Sequence, residues 1–411
     1  MSDQEPAFPG SDGSATPLED LLAPIVYRLP RNTSLSPLRY DLNAGVPDRA
    51  SLPAAALAAA ATAVLAEDPA GALTYGGQQG YEPLRAWIAR TQGAAAGLPL
   101  SSEAVTLTSG SAHGLQNVAL TFLAEGDIAV VGAPTYPGAI RTFRARGAHV
   151  VTAAQDGDGL IPDALEAALH ALHTEGRRAK LVYVVPNYDN PTGATLPLDR
   201  REAIVRITRD HGALIVEDDA YAGLDAAGPP PPSIFAVAAG RGVIRLGTFS
   251  KTVATGLRVA WILSEPPIVQ ALVHMRFDNG ASPFLHRVVL HFLESGAYEP
   301  HVARLQAIYL ERRDLAAAAL REFAEPYVRF RVPDGGFFLW LHLNPPLTAQ
   351  AVVHAAAARE VAVTPGPTYF ANGGGADTLR LVYSALPPAD LRDAIARLGE
   401  AMAAVAAGHG P

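Results

Sequence analysis

The chain has 411 residues, of which 49% are apolar, and this is enough to bury a large core in more than one domain. Its formal net charge of −8 argues against a nucleic-acid-binding surface, and the absence of cysteine excludes disulfides, thiolate metal sites and cysteine nucleophiles. No apolar run reaches the roughly 20 residues that cross a bilayer, and the first residues carry no signal-peptide pattern. We therefore expect a cytoplasmic protein that binds neither nucleic acid nor a membrane.

The N-terminal region is predicted to lie outside the main fold. Residues 1–17 are polar and rich in Gly, Ser, Asp and Pro, which predicts a disordered tail. Residues 18–55 contain several prolines and are predicted to form an arm that begins with a short helix and then runs extended to join the small domain. The Ala/Leu-rich stretch Pro53–Glu67 is predicted to be a helix with proline in its first turn.

Between residues 56 and 295, short Val/Ile/Leu runs alternate with longer amphipathic stretches. The predicted strands are Ala104–Thr108, Ile128–Gly132, His149–Thr152, Leu181–Val185, Leu214–Glu217, Val243–Leu246 and Val259–Leu263. The predicted helices between them are Ala112–Leu123, Gly138–Arg146, Pro162–Thr174 and Leu198–His211. This α/β alternation predicts a large domain with a mostly parallel seven-stranded sheet that helices cover on both faces.

Residues 296–411 have a different pattern, which predicts a smaller α+β domain. One long helical stretch is predicted over Leu285–Glu325, with further helices over Thr348–Arg359 and Pro388–Ala406. The predicted strands of this region are Val328–Val332, Gly335–Leu343 and Leu379–Ser384.

A lysine with unusual neighbours follows one of the predicted buried strands. Hydroxyl groups stand three and one residues before Lys251, at Thr248 and Ser250, and Arg258 follows seven residues after it. A single lysine is most often a solvated surface residue. Burial lowers the pKa of a lysine amine, however, and allows it to form an imine. Thr248, Ser250 and Arg258 together would suit a phosphate group.

Polar residues also follow other predicted strands, at the position where parallel sheets place their ligands. Asn190 lies in an Asn-Pro-Thr-Gly turn, and Asp218 and Tyr221 lie at the end of an acidic strand. Gly110 lies in a Ser-Gly-Ser turn that opens a helix, whose free N–H groups would bind an anion. Arg380 lies in an apolar strand, and a buried arginine needs a carboxylate or phosphate partner. Taken singly, these motifs are also explained by a turn, an acidic strand end without histidine ligands for a metal, a helix start and an internal ion pair.

In this order along the chain, the motifs resemble those of class I/II aminotransferases of fold type I, which depend on pyridoxal 5′-phosphate (PLP). The chain is most similar to the branch that contains 2-aminoadipate and aromatic aminotransferases and the catalytic-like half of MocR regulators. The resemblance covers the chain from Tyr40 onward. It implies a large PLP-binding domain over residues 56–295, a small domain over residues 296–411, and amino-group transfer between an L-amino acid and a 2-oxo acid.

The resemblance also implies a cofactor role for each matching residue. Lys251 would carry PLP as a Schiff base and move a proton, Asp218 would hold the pyridine nitrogen, and Tyr136 would stack on the ring. Asn190 and Tyr221 would donate to the ring oxygen O3′. The residues implied to cup the phosphate are Gly110, Ser111, Ala112, Thr248, Ser250 and Arg258.

The substrate and the partner subunit are assigned in the same way. Arg380 would bind the α-carboxylate of the amino acid, with Asn190 and Gly45 lining that end of the site. Tyr75 resembles the tyrosine that reaches the phosphate of the neighbouring subunit's cofactor, which implies a homodimer.

Several positions depart from many relatives, and two alternative functions stay open. Asp189 and His286 both stand where glutamine is common, and Asp189 is expected to place a negative charge near the pocket mouth. The motifs do not separate transamination from other PLP reactions of this fold, such as elimination, replacement, cyclisation or oxidation. A PLP-sensing regulator would need a DNA-binding domain, which the Pro-rich residues before Tyr40 do not resemble.

Overall fold

The computed structural model describes residues 7–9, 15–29, 38–225 and 228–408, in two units that divide between residues 34 and 35. In the first unit, strands Ala7–Pro9 and Ala15–Pro17 pair antiparallel, and the short helices Leu18–Leu21 and Ile25–Arg28 follow. The sequence did not predict this ribbon within the expected tail, because its polar composition offers little apolar surface to bury. The extended part of the predicted arm at residues 30–37 lies outside the described residues.

An eight-stranded sheet forms the centre of the second unit. In order across the sheet, its strands are Val105–Thr108, Ala260–Leu263, Val243–Thr248, Leu214–Asp218, Ala179–Val184, Ile128–Ala133, His149–Asp156 and Gly159–Leu160. The strands run parallel except for Ala260–Leu263 and Gly159–Leu160, which are antiparallel to their neighbours. All seven predicted strands are present. The eighth, Gly159–Leu160, is a two-residue return strand that is too short to show a pattern of its own.

Apolar side chains cover both faces of this sheet. Val130 and Val182 pack into one core layer, while their neighbours Val131 and Tyr183 pack into the other, as the two-residue period of a strand requires. The helices of this part of the chain are Ala54–Glu67, Pro69–Leu73, Glu82–Ala96, Ser111–Phe122, Pro137–Ala145, Pro162–Thr174, Leu198–Asp210, Ile234–Val237, Pro266–His274 and Pro283–Glu294.

The long helical stretch predicted over Leu285–Glu325 is two helices, Pro283–Glu294 and Tyr298–Ala324. Gly296 stands between them with a φ of +76°. This left-handed conformation ends the first helix and is readily adopted only by glycine. The apolar periodicity continues on both sides of the break, so the pattern alone predicted one helix.

The C-terminal region is a four-stranded antiparallel sheet packed with helices. Its strands, in order, are Val328–Phe330, Phe338–Leu343, Thr378–Val382 and Thr364–Pro365. Its helices are Tyr298–Ala324, Ala349–Ala357 and Pro388–Ala406, and they share one apolar core with the sheet. Residues 35–411 form one compact unit, so the domain boundary predicted near residue 295 stays a prediction. No described helix is long and apolar enough to cross a membrane.

The segment that precedes the large sheet belongs to this C-terminal core. The strand Tyr40–Asp41 pairs in parallel with Val361–Ala362. Asp48 forms a buried ion pair with Arg312, with 2.7 Å between Oδ1 and Nη2. The chain therefore passes from the C-terminal core to the large sheet along residues 42–53.

The carboxyl ends of five parallel strands meet at one edge of the large sheet. The last residues of these strands are Thr108, Ala133, Val184, Asp218 and Thr248. Because a parallel sheet aligns these ends, the loops that follow them converge even though they are far apart in sequence. Most of the candidate residues in this part of the chain lie at these strand ends or in the segments that follow them.

One buried arginine side chain holds the loop that follows the strand Ala179–Val184. Arg201, on the helix Leu198–Asp210, is fully buried, and in the described part of the chain no carboxylate forms an ion pair with it. Its guanidinium donates to the carbonyl oxygens of Leu196, Pro186, Pro231 and Pro232 and to the side-chain oxygen of Asn187. Arg201 therefore holds the loop that leads to Asn190, because its forked guanidinium donates to all of these oxygens at once.

We expect Arg201→Met to lower the free energy of unfolding by about 3 kcal/mol, because it leaves several buried oxygens without donors. Denaturant unfolding measures this change. Arg206→Met on the exposed face of the same helix is the matched control and should change stability by no more than about 0.5 kcal/mol. Equal effects of the two substitutions would contradict the role of Arg201.

Candidate active site

Lys251 lies in the loop after the strand Val243–Thr248, with its amine almost fully enclosed. Nζ donates to the carbonyl oxygen of Gly45 at 2.7 Å and lies 5.9 Å from the ring centres of Tyr221 and Phe337. The pKa of the Lys251 amine is lowered to about 8, first by burial and then by the charges of Arg380 and Arg258, while the charge of Asp218 opposes this shift. A considerable share of this amine is therefore neutral, and hence nucleophilic, near physiological pH.

Asp218 is the last residue of the neighbouring strand Leu214–Asp218, and only one of its two carboxylate oxygens has a hydrogen-bond partner. Oδ2 accepts a hydrogen bond from the Tyr183 hydroxyl at 2.6 Å, while Oδ1 is buried without a hydrogen-bond partner. Burial raises the pKa of Asp218 to about 6, and the hydrogen bond from Tyr183 opposes this rise. A buried carboxylate oxygen without a donor is costly, so Oδ1 is suited to accept from an N–H group of a ligand.

Arg380 lies on the central strand of the C-terminal sheet, next to Asn190. Its Nη1 donates to Asn190 Oδ1 at 3.0 Å, and its Nη2 donates to the Asn43 carbonyl and to Thr364 Oγ1. Nε is buried without a partner. Within the described residues no carboxylate pairs with this guanidinium, so the internal ion pair considered from the sequence is absent there. A buried arginine of this kind is poised for a ligand carboxylate.

Rings surround these charged groups. Tyr221 meets Phe337 and Phe338 edge-on, with ring centres 5.6 and 5.3 Å apart, and burial raises its pKa. Arg380 lies 4.8 Å from the ring centre of Phe338 and 5.3 Å from that of Tyr369. The space that these rings surround, called the enclosure below, is thus apolar except at the few polar atoms that point inward. Such a lining is typical of a small-molecule site.

Tyr136 caps the N-terminal end of the helix Pro137–Ala145, and its ring lies against Gly138, where a Cβ would collide with it. Burial raises the pKa of Tyr136, and the charges of Asp218 and Arg380 also act on it. The ring therefore lies near the groups at both ends of the enclosure.

The predicted phosphate cup is assembled around Gly110, which has a φ of +90° and precedes the helix Ser111–Phe122. The positive φ favours glycine at this position, and a Cβ there would collide with the Arg258 guanidinium unless that side chain moved. Arg258 donates to the carbonyls of Ser109 and Thr255, at 3.4 and 3.2 Å, and forms no ion pair within the described residues. The other members of the cup are Ser111 and Ala112 in the first helical turn, and Thr248 and Ser250, whose hydroxyls are 2.9 Å apart.

Tyr75 is the predicted site residue that the described chain does not bring to this enclosure. Its side chain is 85% exposed, just after the helix Pro69–Leu73. Such exposure of a large ring is compatible with the implied contact to a neighbouring subunit, which a single chain cannot display.

Asp189, which was predicted to place a negative charge near the pocket mouth, is buried. It is 2% exposed, and its Oδ2 accepts from Thr192 Oγ1 at 2.8 Å and from Gln155 Nε2 at 3.3 Å. Burial raises its pKa to about 7. His286 is also buried, and burial lowers its pKa to about 4, so that it is neutral at physiological pH.

Sequence reasoning missed several residues of the enclosure. Tyr183, Asn43, Thr364 and Tyr369 all contact a predicted site residue. Tyr183 lies inside a predicted buried strand, where an aromatic residue is ordinary core, so its type and position gave no functional signal.

The residues present fit PLP on independent grounds. Asp218 Oδ1 lacks a donor, which a protonated ring nitrogen would supply, and Gly110, Ser250 and Arg258 form a polar cup with uncompensated positive charge. Lys251 offers a buried amine of lowered pKa between them. This fold and this arrangement define a PLP-dependent enzyme of fold type I.

Comparison with known proteins identifies the family of the chain. The model of the family "Aminotransferase class I and II" matches residues 40–398. The chain is 35% identical over 364 residues to 2-aminoadipate transaminase of Thermus thermophilus, across 87% of this chain and 88% of the relative. It is 33% identical over 362 residues to aromatic-amino-acid aminotransferase 1 of Thermococcus litoralis, across 88% and 87% of the two chains.

A solved structure gives the same result. LysN, the α-aminoadipate aminotransferase of Thermus thermophilus in complex with N-(5′-phosphopyridoxyl)-L-leucine, superposes with a TM-score of 0.88 and 32% identity, across 95% of this chain and 100% of that one. The chain therefore belongs to the class I and II aminotransferase family. It is a PLP-dependent enzyme that transfers an amino group between amino acids and 2-oxo acids.

The lowered pKa of Lys251 generates a measurable pH dependence. Only the neutral amine captures PLP, so the capture rate of the cofactor-free chain should rise about tenfold per pH unit below pH about 8 and level off above it. Stopped-flow absorbance measures this rate, and Lys251→Ala should show no capture. A rate that keeps rising toward pH about 10 would identify the amine as an ordinary solvated lysine.

Proposed function

We propose that the chain transfers the amino group of L-amino acids, with 2-aminoadipate and aromatic amino acids as the first candidates. Arg380 is the observation that carries this proposal: a buried guanidinium with a free Nε and no acidic partner among the described residues lies in the same enclosure as Lys251. A forked donor of this kind suits the α-carboxylate of an amino acid. The side-chain candidates come from the substrates named for the two relatives.

The roles that we propose for the other residues follow from their contacts. PLP supplies an electron sink that makes the Cα proton of the bound amino acid acidic. Lys251 would hold PLP through its amine and would move the proton, because this amine is buried and partly neutral. Asp218 Oδ1 would hold the ring nitrogen, and Tyr136 would pack against the ring.

The remaining residues bind and orient. Asn190 and Tyr221 donate to the ring oxygen O3′, and Asn190 also orients Arg380 through their mutual hydrogen bond. Gly45 lines the carboxylate end, where its carbonyl meets Lys251. The phosphate is bound by the backbone of the first helical turn and by polar side chains: Gly110, Ser111, Ala112, Thr248, Ser250 and Arg258.

A half-reaction separates transamination from other PLP chemistry. Holoenzyme mixed with one amino acid and no 2-oxo acid should react once per site, with release of one equivalent of 2-oxo acid and loss of the visible absorbance of the bound cofactor. We would compare 2-aminoadipate, phenylalanine, tyrosine and kynurenine, with D-2-aminoadipate as the control. Continued turnover without an acceptor would instead indicate elimination or another PLP reaction of this fold.

We also propose that the active form is a cytoplasmic homodimer in which Tyr75 contacts the partner's cofactor phosphate. The exposure of the Tyr75 ring supports this assignment. The proposed domain division, with residues 56–295 as the PLP-binding domain and residues 296–411 as the small domain, places the enclosure between the sheet edge and Arg380.

Subunit complementation tests the proposed dimer. Tyr75→Ala and Lys251→Ala should each be nearly inactive, but a mixture that is refolded together should regain about a quarter of wild-type activity, because hybrid dimers contain one intact site. Sedimentation would confirm the dimer. If the mixture stayed as inactive as its components, Tyr75 would not act across the interface.

A further inference from the structure

Tyr183 contacts the proposed cofactor site from within the sheet. It lies on the strand Ala179–Val184, is 1% exposed, and donates its hydroxyl to Asp218 Oδ2 at 2.6 Å. The hydroxyl has no other hydrogen bond within the described chain. The contact therefore couples a core residue of one strand to the last residue of the next.

The position of the Tyr183 ring is set by packing on all sides. In the register of the sheet, Tyr183 pairs with Val216, two residues before Asp218. Phe143 meets the ring edge-on, with the ring centres 6.0 Å apart. Because both the ring and the strand are buried in a packed core, the hydroxyl has little freedom to move away from Asp218.

The hydrogen bond makes the two oxygens of Asp218 unequal. Oδ2 is occupied by Tyr183, and Oδ1 is buried without a donor. A carboxylate held at one oxygen cannot rotate without breaking that bond, so Oδ1 stays directed into the enclosure.

The hydroxyl also favours the charged form of Asp218. Burial raises the pKa of Tyr183 well above its usual value, so Tyr183 remains a donor, and its hydrogen bond opposes the effect of burial on Asp218. The other ionisable groups whose charges act on Asp218, or are acted on by it, are Tyr136, Asp189, Asp219, Tyr221 and Lys251. None of these five donates a hydrogen bond to the Asp218 carboxylate.

We propose that Tyr183 is a positioning residue of the transamination site, whose hydroxyl holds Asp218 with Oδ1 free for the ring nitrogen of PLP. The inference rests on the proposed role of Asp218. Tyr183 would act through Asp218, to which its hydroxyl is hydrogen-bonded. Its effect is to keep the carboxylate ionised and correctly turned before the cofactor arrives.

Tyr183→Phe removes the hydroxyl and retains the ring. In the holoenzyme we expect kcat to fall about tenfold while the KM for the amino acid stays within about twofold, because Arg380 and not Asp218 binds the substrate. The pH at which the visible absorbance of the bound cofactor changes should rise by at least about half a unit, because a less strongly held ring proton makes the imine nitrogen more basic.

Tyr383→Phe is the matched control. Tyr383 is equally buried and donates its hydroxyl to the Gly335 carbonyl at 3.0 Å, away from Asp218. Both variants should lose similar stability, but only Tyr183→Phe should change kcat and the titration of the cofactor absorbance. If the two variants had the same spectrum and kcat, the inference would be wrong while the proposed function would stand.

A double-mutant cycle tests whether Tyr183 acts through Asp218. Asp218→Asn removes the charge, and adding Tyr183→Phe to it should cause little further loss of kcat. Fully multiplicative losses would overturn the inference, whereas an Asp218→Asn variant with wild-type activity would overturn the proposed role of Asp218 itself. Should Tyr183→Phe fail to fold, 3-fluorotyrosine at position 183 keeps the ring with a more acidic hydroxyl. The cofactor titration should then move to lower pH, and an unmoved titration would refute the proposal.

Discussion

The burial of a lysine amine among other positive charges is the constraint on which the site depends. The charges of Arg258 and Arg380 act on Lys251 together with burial, and Asp218 is the carboxylate that opposes them. In water such charges would be screened, but in this enclosure they disfavour the ammonium form. The surplus of positive charge suits a phosphate at one end and a carboxylate at the other. The positive charges that lower the pKa of Lys251 would therefore also favour the binding of both anionic groups.

The acidic run at the end of one strand shows how the fold distributes its charges. Glu217 accepts from the backbone N–H groups of Ile234 and Phe235, and Asp219 pairs with Arg245 at 2.5 Å. Both neighbours of Asp218 are therefore engaged in holding the structure together. Asp218 alone of the three retains an unpartnered buried oxygen, because alternate residues of a strand point to opposite faces and the strand ends there.

The sequence predicted those parts of the molecule that local patterns encode. The seven longer strands were readable because strands in a sheet covered on both faces are rich in apolar residues, and the site loops followed because most of their residues stand directly after these strands. The break at Gly296 was not predicted because the apolar periodicity continues on both sides of it, and the burial of Asp189 was not predicted because it depends on packing between distant segments. Tyr183 was not predicted as a site residue, because its hydroxyl acquires a function only when the next strand places Asp218 beside it.

The segment that pairs with the C-terminal sheet has a thermodynamic consequence for ligand binding. Its backbone carbonyls accept hydrogen bonds from two cations of the enclosure, since the Asn43 carbonyl accepts from Arg380 and the Gly45 carbonyl accepts from Lys251. If Arg380 binds the substrate carboxylate and Lys251 binds the cofactor, as proposed, these carbonyls compete with the ligands for the same donors. The ligand affinities would then include the cost of breaking these backbone hydrogen bonds. Substitutions along residues 42–53 that change the stability of this segment will alter apparent substrate affinity without touching the substrate.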